Sequence, residues 1–412
     1  MLNIIDLFSG AGGLTEGFRS SDFNLIAHVE MDRAASETLT LRDIYYSLKQ
    51  SGNLDAYKDF VNQKISFNEL QALVPTHIRS SVINEAIGEQ TLPGIIQKID
   101  HKLAGRKVHG VIGGPPCQAF STVGRKRNEA KKATDERIYL YKYYIKFLEG
   151  YRPDFFLFEN VRGLLSFKDI HGQPLFDQVL ADFNSMSPSY HVDWKLLNAS
   201  DYGVPQSRRR VIIFGYRNDL EPVELFHRLK KKQPPTIREL FQDLPKLSSG
   251  ETVNHYSAKQ PSAFVKKHLR SEGLPLTWNV SRPNNPQDLK IYRIVAQKRQ
   301  KGEMLKYGDL PERLRTQHTT GFSDRFKALP FDDVSQTVVA HISKDGHYYI
   351  HPDVQQNRSI TVREAARIQT FPDNFIFCRS RTDAFKQIGN AVPPYFAKQF
   401  GQIIADQKKK LI

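Results

Sequence analysis

Cys117 lies in the run Gly113-Gly114-Pro115-Pro116-Cys117-Gln118-Ala119-Phe120-Ser121. A thiol held in a rigid Pro-Pro loop can act as a nucleophile. It then needs an electropositive setting, because a free thiol with a pKa of about 8.5 is only slightly ionised at neutral pH. The ordinary alternative is an inert buried cysteine, the reading given to Cys378. Glu159, in Phe158-Glu159-Asn160-Val161, offers a carboxyl for acid chemistry or hydrogen bonding. In Gln206-Ser207-Arg208-Arg209-Arg210 an extended chain places Arg208 and Arg210 on one face with Gln206. Two guanidiniums side by side can hold a carbonyl oxygen and a phosphate. Near the N-terminus, Asp6-Leu7-Phe8-Ser9-Gly10-Ala11-Gly12-Gly13-Leu14 is a glycine-rich turn that lets a ligand approach the backbone. Glu30 can accept the two hydroxyls of a ribose, which points to a nucleoside cofactor. Asn390, in Gln387-Ile388-Gly389-Asn390-Ala391-Val392-Pro393-Pro394, can cap a helix or touch a ligand. Each feature alone has an ordinary structural explanation: a tight turn, a surface carboxylate, a solvated charge run.

The elements that would position these residues read as α/β. Leu2 to Leu7, Asn24 to Val29, Val108 to Ile112, Phe155 to Phe158 and Val211 to Phe214 are apolar runs of strand length. A helical stretch follows the first glycine turn, and Tyr139 to Leu148 reads as a helix. This alternation predicts a doubly wound, mainly parallel sheet covered on both faces. Arg42 to Lys107 is long, polar and free of recognisable chemistry, so it reads as a solvated, helical insertion. From about Asn218 to Asn357 neither period persists, which predicts a second, smaller and irregular domain. Thr361-Val362-Arg363-Glu364 has the spacing of a capping box. Pro393 and Pro394 suit the start of a last helix, and Lys408 to Lys410 its end.

Composition narrows the partners. The chain has 412 residues, with 59 Lys and Arg against 44 Asp and Glu, a net charge of +15. Residues 221–360 carry 23 basic and 15 acidic residues, an excess of +8. Nucleic acid is the leading polyanion. No apolar run approaches the roughly 18 residues of a membrane span, and no secretory signal is evident. Two cysteines are too few for a disulfide scaffold or a cysteine-rich zinc site, so no metal is implied. Their scarcity fits a reducing compartment. No GxxxxGK[ST] is present, and the glycine spacing departs from GxGxxG, which disfavours P-loop and nicotinamide chemistry.

Taken in order, these segments resemble the DNA cytosine carbon-5 methyltransferase family over roughly residues 1–31, 108–217 and 357–400. Asp135-Glu136-Arg137-Ile138-Tyr139-Leu140 and the arginine-bearing run from Asn357 to Pro372 also look like family motifs. The resemblance implies S-adenosyl-L-methionine as cofactor. Phe8, Ser9, Gly10, Ala11, Gly12, Gly13 and Leu14 would cradle its methionine part. Glu30 would take the ribose hydroxyls, with Met31 on the adenine. Pro116, Leu140, Asn390 and Val392 would complete the pocket. Cys117 would add to carbon 6 of a cytosine flipped out of the duplex. Glu159, protonated, would bond ring nitrogen 3, and Arg210 the carbonyl oxygen at carbon 2. Arg208 would orient Glu159 and nearby backbone. The family's Gly-Asp pair after the third strand is missing, and Gly88-Glu89 is the nearest candidate. Ser121 to Arg127 suits a lid on DNA phosphates.

The same resemblance implies two lobes. Residues 1–217 and 373–412 would carry cofactor and chemistry, with 43–107 inserted. Residues 218–372 would read the target in double-stranded DNA. The chain would act as a monomer on DNA, without a membrane, and resembles a bacterial restriction–modification methylase with a cognate endonuclease as genetic partner. A transfer-RNA cytosine methyltransferase of this fold and a catalytically idle DNA-binding repressor are the competing readings.

Overall fold

A computed structural model describes residues 1–116, 120, 135–271, 273–315 and 324–411. Seven strands form one sheet in the order β3-β2-β1-β4-β5-β7-β6. They are β1 (Leu2–Leu7), β2 (Phe23–Val29), β3 (Val82–Ile83), β4 (Gly110–Gly113), β5 (Phe155–Val161), β6 (Tyr190–Asn198) and β7 (Arg209–Arg217). β1 to β5 run parallel, and β7 is antiparallel to both its neighbours. Strand order grows from β1 to β2 and β3, then returns to β4 and continues the other way. Such a reversal leaves a crevice at the carboxyl ends of β1 and β4.

Every residue of β1 is buried, as befits an inner parallel strand covered on both faces. On one face Ile5, Leu7, Val111 and Phe156 pack with the helices Leu92–Leu103, Leu140–Tyr151 and Leu175–Asn184. On the other, Leu2, Ile4 and Ile112 pack with Phe18 and the helix Pro394–Asp406. This is the doubly wound sheet that the alternation predicts. No described helix is long and apolar enough to cross a membrane.

Two expectations need correction. The stretch 43–107 is not a solvated insertion throughout. α1 (Arg33–Gln50) runs through its start. β3 pairs with β2, and Ile83, Ile95, Ile99 and Leu103 join the core beneath β1 and β4. A two-residue strand leaves no period to read, which hid this part of the sheet. α2 (Leu54–Val61) and α3 (Phe67–Ala72) pack Tyr57 and Leu70 on Leu41 and Ile44 of α1. Residues 218–357, in turn, are not without regular structure. They include the helix Pro286–Gln300, opened by Asn285, whose side chain accepts the Asp288 N–H. Its buried stripe is only Ile291, Tyr292, Val295 and Ala296, too narrow to stand out among lysines and arginines.

The capping box is present: the Thr361 side chain accepts the Glu364 N–H, and the Glu364 carboxylate accepts the Thr361 N–H. This opens the helix Val362–Ile368, which shares a core with the helix Arg381–Asn390 and with Ile237, Leu240 and Val338. The last α-helix starts at Pro394 and ends at Asp406, and Lys408–Lys410 form a short 3₁₀ turn beyond it.

Candidate active site

Strand register brings the sequence motifs to one edge. Leu7 stands opposite Val29 on one side and Gly113 on the other, and Gly113 stands opposite Phe158. The residues that follow, Phe8, Glu30, Gly114 and Glu159, therefore line the carboxyl ends together. Phe8 adopts φ 55°, a left-handed conformation that a bulky residue holds only when its surroundings impose it. Gly10 also has positive φ, with open space where a side chain would stand. Gly13 has no such freedom: a Cβ there would lie 2.3 Å from the Val392 carbonyl oxygen. A missing side chain thus lets the Ala391-Val392 backbone close against the glycine turn.

Glu30 is buried, and its two oxygens accept the Gly10 N–H (2.8 Å) and the Asp32 N–H (2.7 Å). Burial raises its carboxyl above the usual range, and these two N–H groups pull it back. A carboxylate has about four acceptor positions, so each oxygen keeps one for another donor. Met31 is 64% exposed. Asn84, directly after β3, donates to the carbonyls of Glu30 (2.8 Å) and Met31 (3.0 Å) and to the Ser36 hydroxyl (2.9 Å). Sequence reading missed Asn84, because it fell in the stretch read as a solvated insertion. Gly88-Glu89 lies instead in the turn that leads into the helix Leu92–Leu103, with the Gly88 N–H on Thr91.

Glu159 and Arg210 form the charged centre of the other half. β7 enters antiparallel to β5, pairing Val161 with Arg210 and Glu159 with Ile212. Glu159 and Arg210 are diagonal neighbours on one face, and Arg210 Nε lies 2.7 Å from Glu159 Oε1. A Cβ on Gly114 would lie 3.0 Å from Glu159 Oε2, so the Gly-Pro-Pro loop runs directly against this carboxyl. The Asn160 amide reaches the Pro115 carbonyl at 3.4 Å. Phe120 is buried, edge-on to Phe167, and its carbonyl occupies the space a Cβ on Gly163 would need. Cys117 and the Ser121 to Arg127 segment lie outside the described residues. Pro116 and Leu140 are described and half-buried.

The alternation in the arginine run holds: Gln206, Arg208 and Arg210 are buried, while Ser207 and Arg209 are exposed. Arg208 donates to the carbonyls of Val338 (2.7 Å) and Gly389 (3.1 Å), whereas the ion pair to Glu159 comes from Arg210. Gln206 donates to Gln369, which donates to the carbonyls of Ile388 and Ala391. Arg208 and Gln206 thereby hold both sides of exposed Asn390, the last residue of its helix. Cys378 has the inert character expected: burial pushes its thiol up to about 12.

The sequence pattern of the C-5 cytosine-specific DNA methylases matches residues 2–59 and 86–406. The chain belongs to this family. The skipped residues, 60–85, are those that carry α3 and β3. The type II methyltransferase M.Bpa9945I of Bacillus paralicheniformis is 36% identical over 98% of both chains. The type II methyltransferase M.AgeI of Thalassovita gelatinovora is 30% identical over 98% of this chain and 99% of its own. A DNA modification methyltransferase from an E. coli prophage shares the fold with a TM-score of 0.63 and 23% identity, covering 99% of this chain and all of that one.

Proposed function

We propose that this methylase transfers a methyl group from S-adenosyl-L-methionine to carbon 5 of a cytosine flipped out of a specific duplex site. In this reading it is the modification half of a bacterial restriction–modification system, acts as a monomer in the cytoplasm, and has a cognate endonuclease as its genetic partner. The observation that carries the reading is the Glu159–Arg210 pair between β5 and β7, lying against the Gly114-Pro115 loop that follows β4. Arg208 is assigned a positioning role through the carbonyls it binds.

The residues present fit the cofactor. Glu30 keeps acceptor capacity beside open space at Gly10, and Met31 is free to lie on an adenine. Phe8 to Leu14, Pro116, Leu140, Asn390 and Val392 complete the assigned pocket. The bound cofactor supplies an electrophilic methyl group. Cys117 supplies the nucleophile: its thiolate adds to carbon 6, and the ring becomes an enamine whose carbon 5 is nucleophilic. With Oε1 of Glu159 taken by Arg210, Oε2 is the atom assigned to carry the carboxyl proton, donate it to ring nitrogen 3 and so stabilise the charge that develops there. Arg210 also holds the carbonyl oxygen at carbon 2. Once carbon 5 carries the methyl group, its proton passes to water, the double bond re-forms and the bond from carbon 6 to sulfur breaks, releasing the Cys117 thiolate.

Residues 218–372 are assigned to target recognition, because the basic excess concentrates there and the chemical motifs lie outside. Bisulfite sequencing of DNA from cells expressing the chain should show one methylated cytosine within a fixed sequence. Exchanging residues 218–356 for those of a relative should move methylation to the relative's site. An active chimera that keeps the parent's site would place recognition elsewhere, and methylated transfer RNA with unmethylated duplex would overturn the DNA reading.

Replacing Glu30 by alanine should weaken cofactor binding by about 1.5–3 kcal/mol, the usual loss for hydrogen bonds to a charged group. Calorimetry with S-adenosylhomocysteine measures it. An unchanged dissociation constant would remove the ribose assignment.

A further inference from the structure

We propose that His28 is a positioning residue: as an imidazolium bridging Asp6 and Asp43, it holds the Phe8–Leu14 loop in its cofactor-binding shape. The proposal rests on the reading of that loop as the cofactor cradle.

His28 stands opposite Asp6 across β1 and β2, and neither is exposed to solvent. Its Nδ1 lies 3.4 Å from Asp6 Oδ2, and its Nε2 lies 3.5 Å from Asp43 Oδ2 on α1. Both ring nitrogens therefore face carboxylates. A neutral imidazole carries one acceptor nitrogen, and a lone pair turned toward a buried carboxylate is repulsive. At these separations neither nitrogen makes a hydrogen bond, and only the doubly protonated ring turns an N–H and a positive charge toward both carboxylates. Charge counting agrees. Arg19 pairs with Asp43, and Arg42 pairs with Glu16 at 2.7 Å. Asp6, Asp43 and Glu16 thus face two guanidiniums, one positive charge short without His28. Among the described residues, the Glu30 carboxylate adds to the negative charge around Asp6, and hydroxyls line the rest of the centre. Ser81 donates to Asp43, Thr15 donates to Asp6, and Tyr46 bonds Glu16. Tyr144 donates to the carbonyls of Val111 and Leu157.

The centre grips the loop at both ends. Before it, the Asp6 carbonyl accepts the Ser9 hydroxyl at 2.8 Å. After it, Thr15 bonds the Asp6 carboxylate. Between them stands Phe8 in its left-handed conformation. Glu30 follows two residues after His28 on the same strand, and its Oε2 takes the Gly10 N–H. Losing the positive charge at His28 leaves Asp43 with Arg19 and removes from Asp6, the loop's anchor, the cation that faces it among the described residues. The loop's set of N–H and carbonyl directions should then relax.

Burial disfavours the charged ring, but Asp43 and Asp6 outweigh it and raise the His28 pKa to about 9. A raised folded-state value means a stability contribution that is full below about 6.5, the ordinary histidine value, and is lost as pH rises through about 9. Cofactor affinity should follow the same window.

The test is calorimetric titration of wild type and His28→Gln with S-adenosylhomocysteine between pH 7 and 10. At pH 7.5 the variant is expected to bind about tenfold more weakly, with KM for DNA little changed. Wild-type affinity should fall further than the variant's as pH passes 9. Comparing the two cancels the titration of the ligand's own amino group. An unchanged affinity in a folded variant, or identical alkaline limbs, would overturn the proposal. Nitrogen-15 NMR of the wild-type histidines needs no variant: a neutral His28 ring at pH 7.5 would overturn it as well. Glu30→Ala separates the two levels of the argument. If Glu30→Ala weakens binding and His28→Gln does not, the pocket stands and the role of His28 falls. If neither does, the pocket reading falls too.

Discussion

Replacing Cys117 by alanine is expected to reduce methyl transfer to background while duplex affinity stays within a few-fold of wild type. The reason is a separation of tasks. The proposed covalent step depends on a single sulfur. Duplex binding is spread over many phosphate and base contacts. No other side chain can take over the addition, because Cys378, the only other thiol, is pushed up to about 12 by burial. Duplex DNA carrying 5-fluorocytosine should trap the wild type, since fluorine cannot leave as a cation. The adduct should survive denaturant and be missing with Cys117→Ala. A variant that still methylates, or a wild type that forms no adduct, would defeat the assignment.

Arg210→Ala is expected to lower the single-turnover rate by about 10²–10³, the range seen when one preorganised donor is removed from a site of developing charge. Two losses combine. The base loses the guanidinium assigned to its carbonyl oxygen, and Glu159 loses the partner that fixes Oε1 at 2.7 Å. Arg210→Lys should recover only part of the rate, because an ammonium lacks the planar fork that reaches two oxygens at once. DNA affinity should change far less than the rate. A rate within threefold of wild type for Arg210→Ala would show that the pair serves packing alone.

What the sequence reveals depends on how local the physics is. β1 is readable at Leu2–Leu7 because an inner parallel strand is a continuous apolar run. The Thr361–Glu364 box is readable because both of its bonds close within four residues. β6 escapes, because it is an edge strand and Asp193 to Leu196 point largely to solvent. The site divides in the same way. Cys117, Glu159 and Glu30 stand next to strand ends and glycine or proline turns, which mark them. His28, Asp43 and Asn84 act through partners far off in the chain. Nothing near them distinguishes a buried ion pair from surface charge. The fully buried arginines Arg358, Arg363 and Arg367 pose the same problem. Each looks solvated in sequence, yet Arg358 meets Glu364, Arg363 meets Thr277 and Arg367 meets Asp243.

The contact between Gly13 and the Val392 backbone has a consequence for biosynthesis. The glycine turn leaves the ribosome well before Val392, and the wall they form together cannot exist until both have emerged. At about 5–20 residues per second, the intervening chain takes on the order of 20–80 s to make. Until Val392 has emerged, the carboxyl edge of β1 has no such backbone to close it. A messenger that breaks off before the Val392 codon yields a chain with nothing to close against Gly13, so methylation is expected only from chains made past that point.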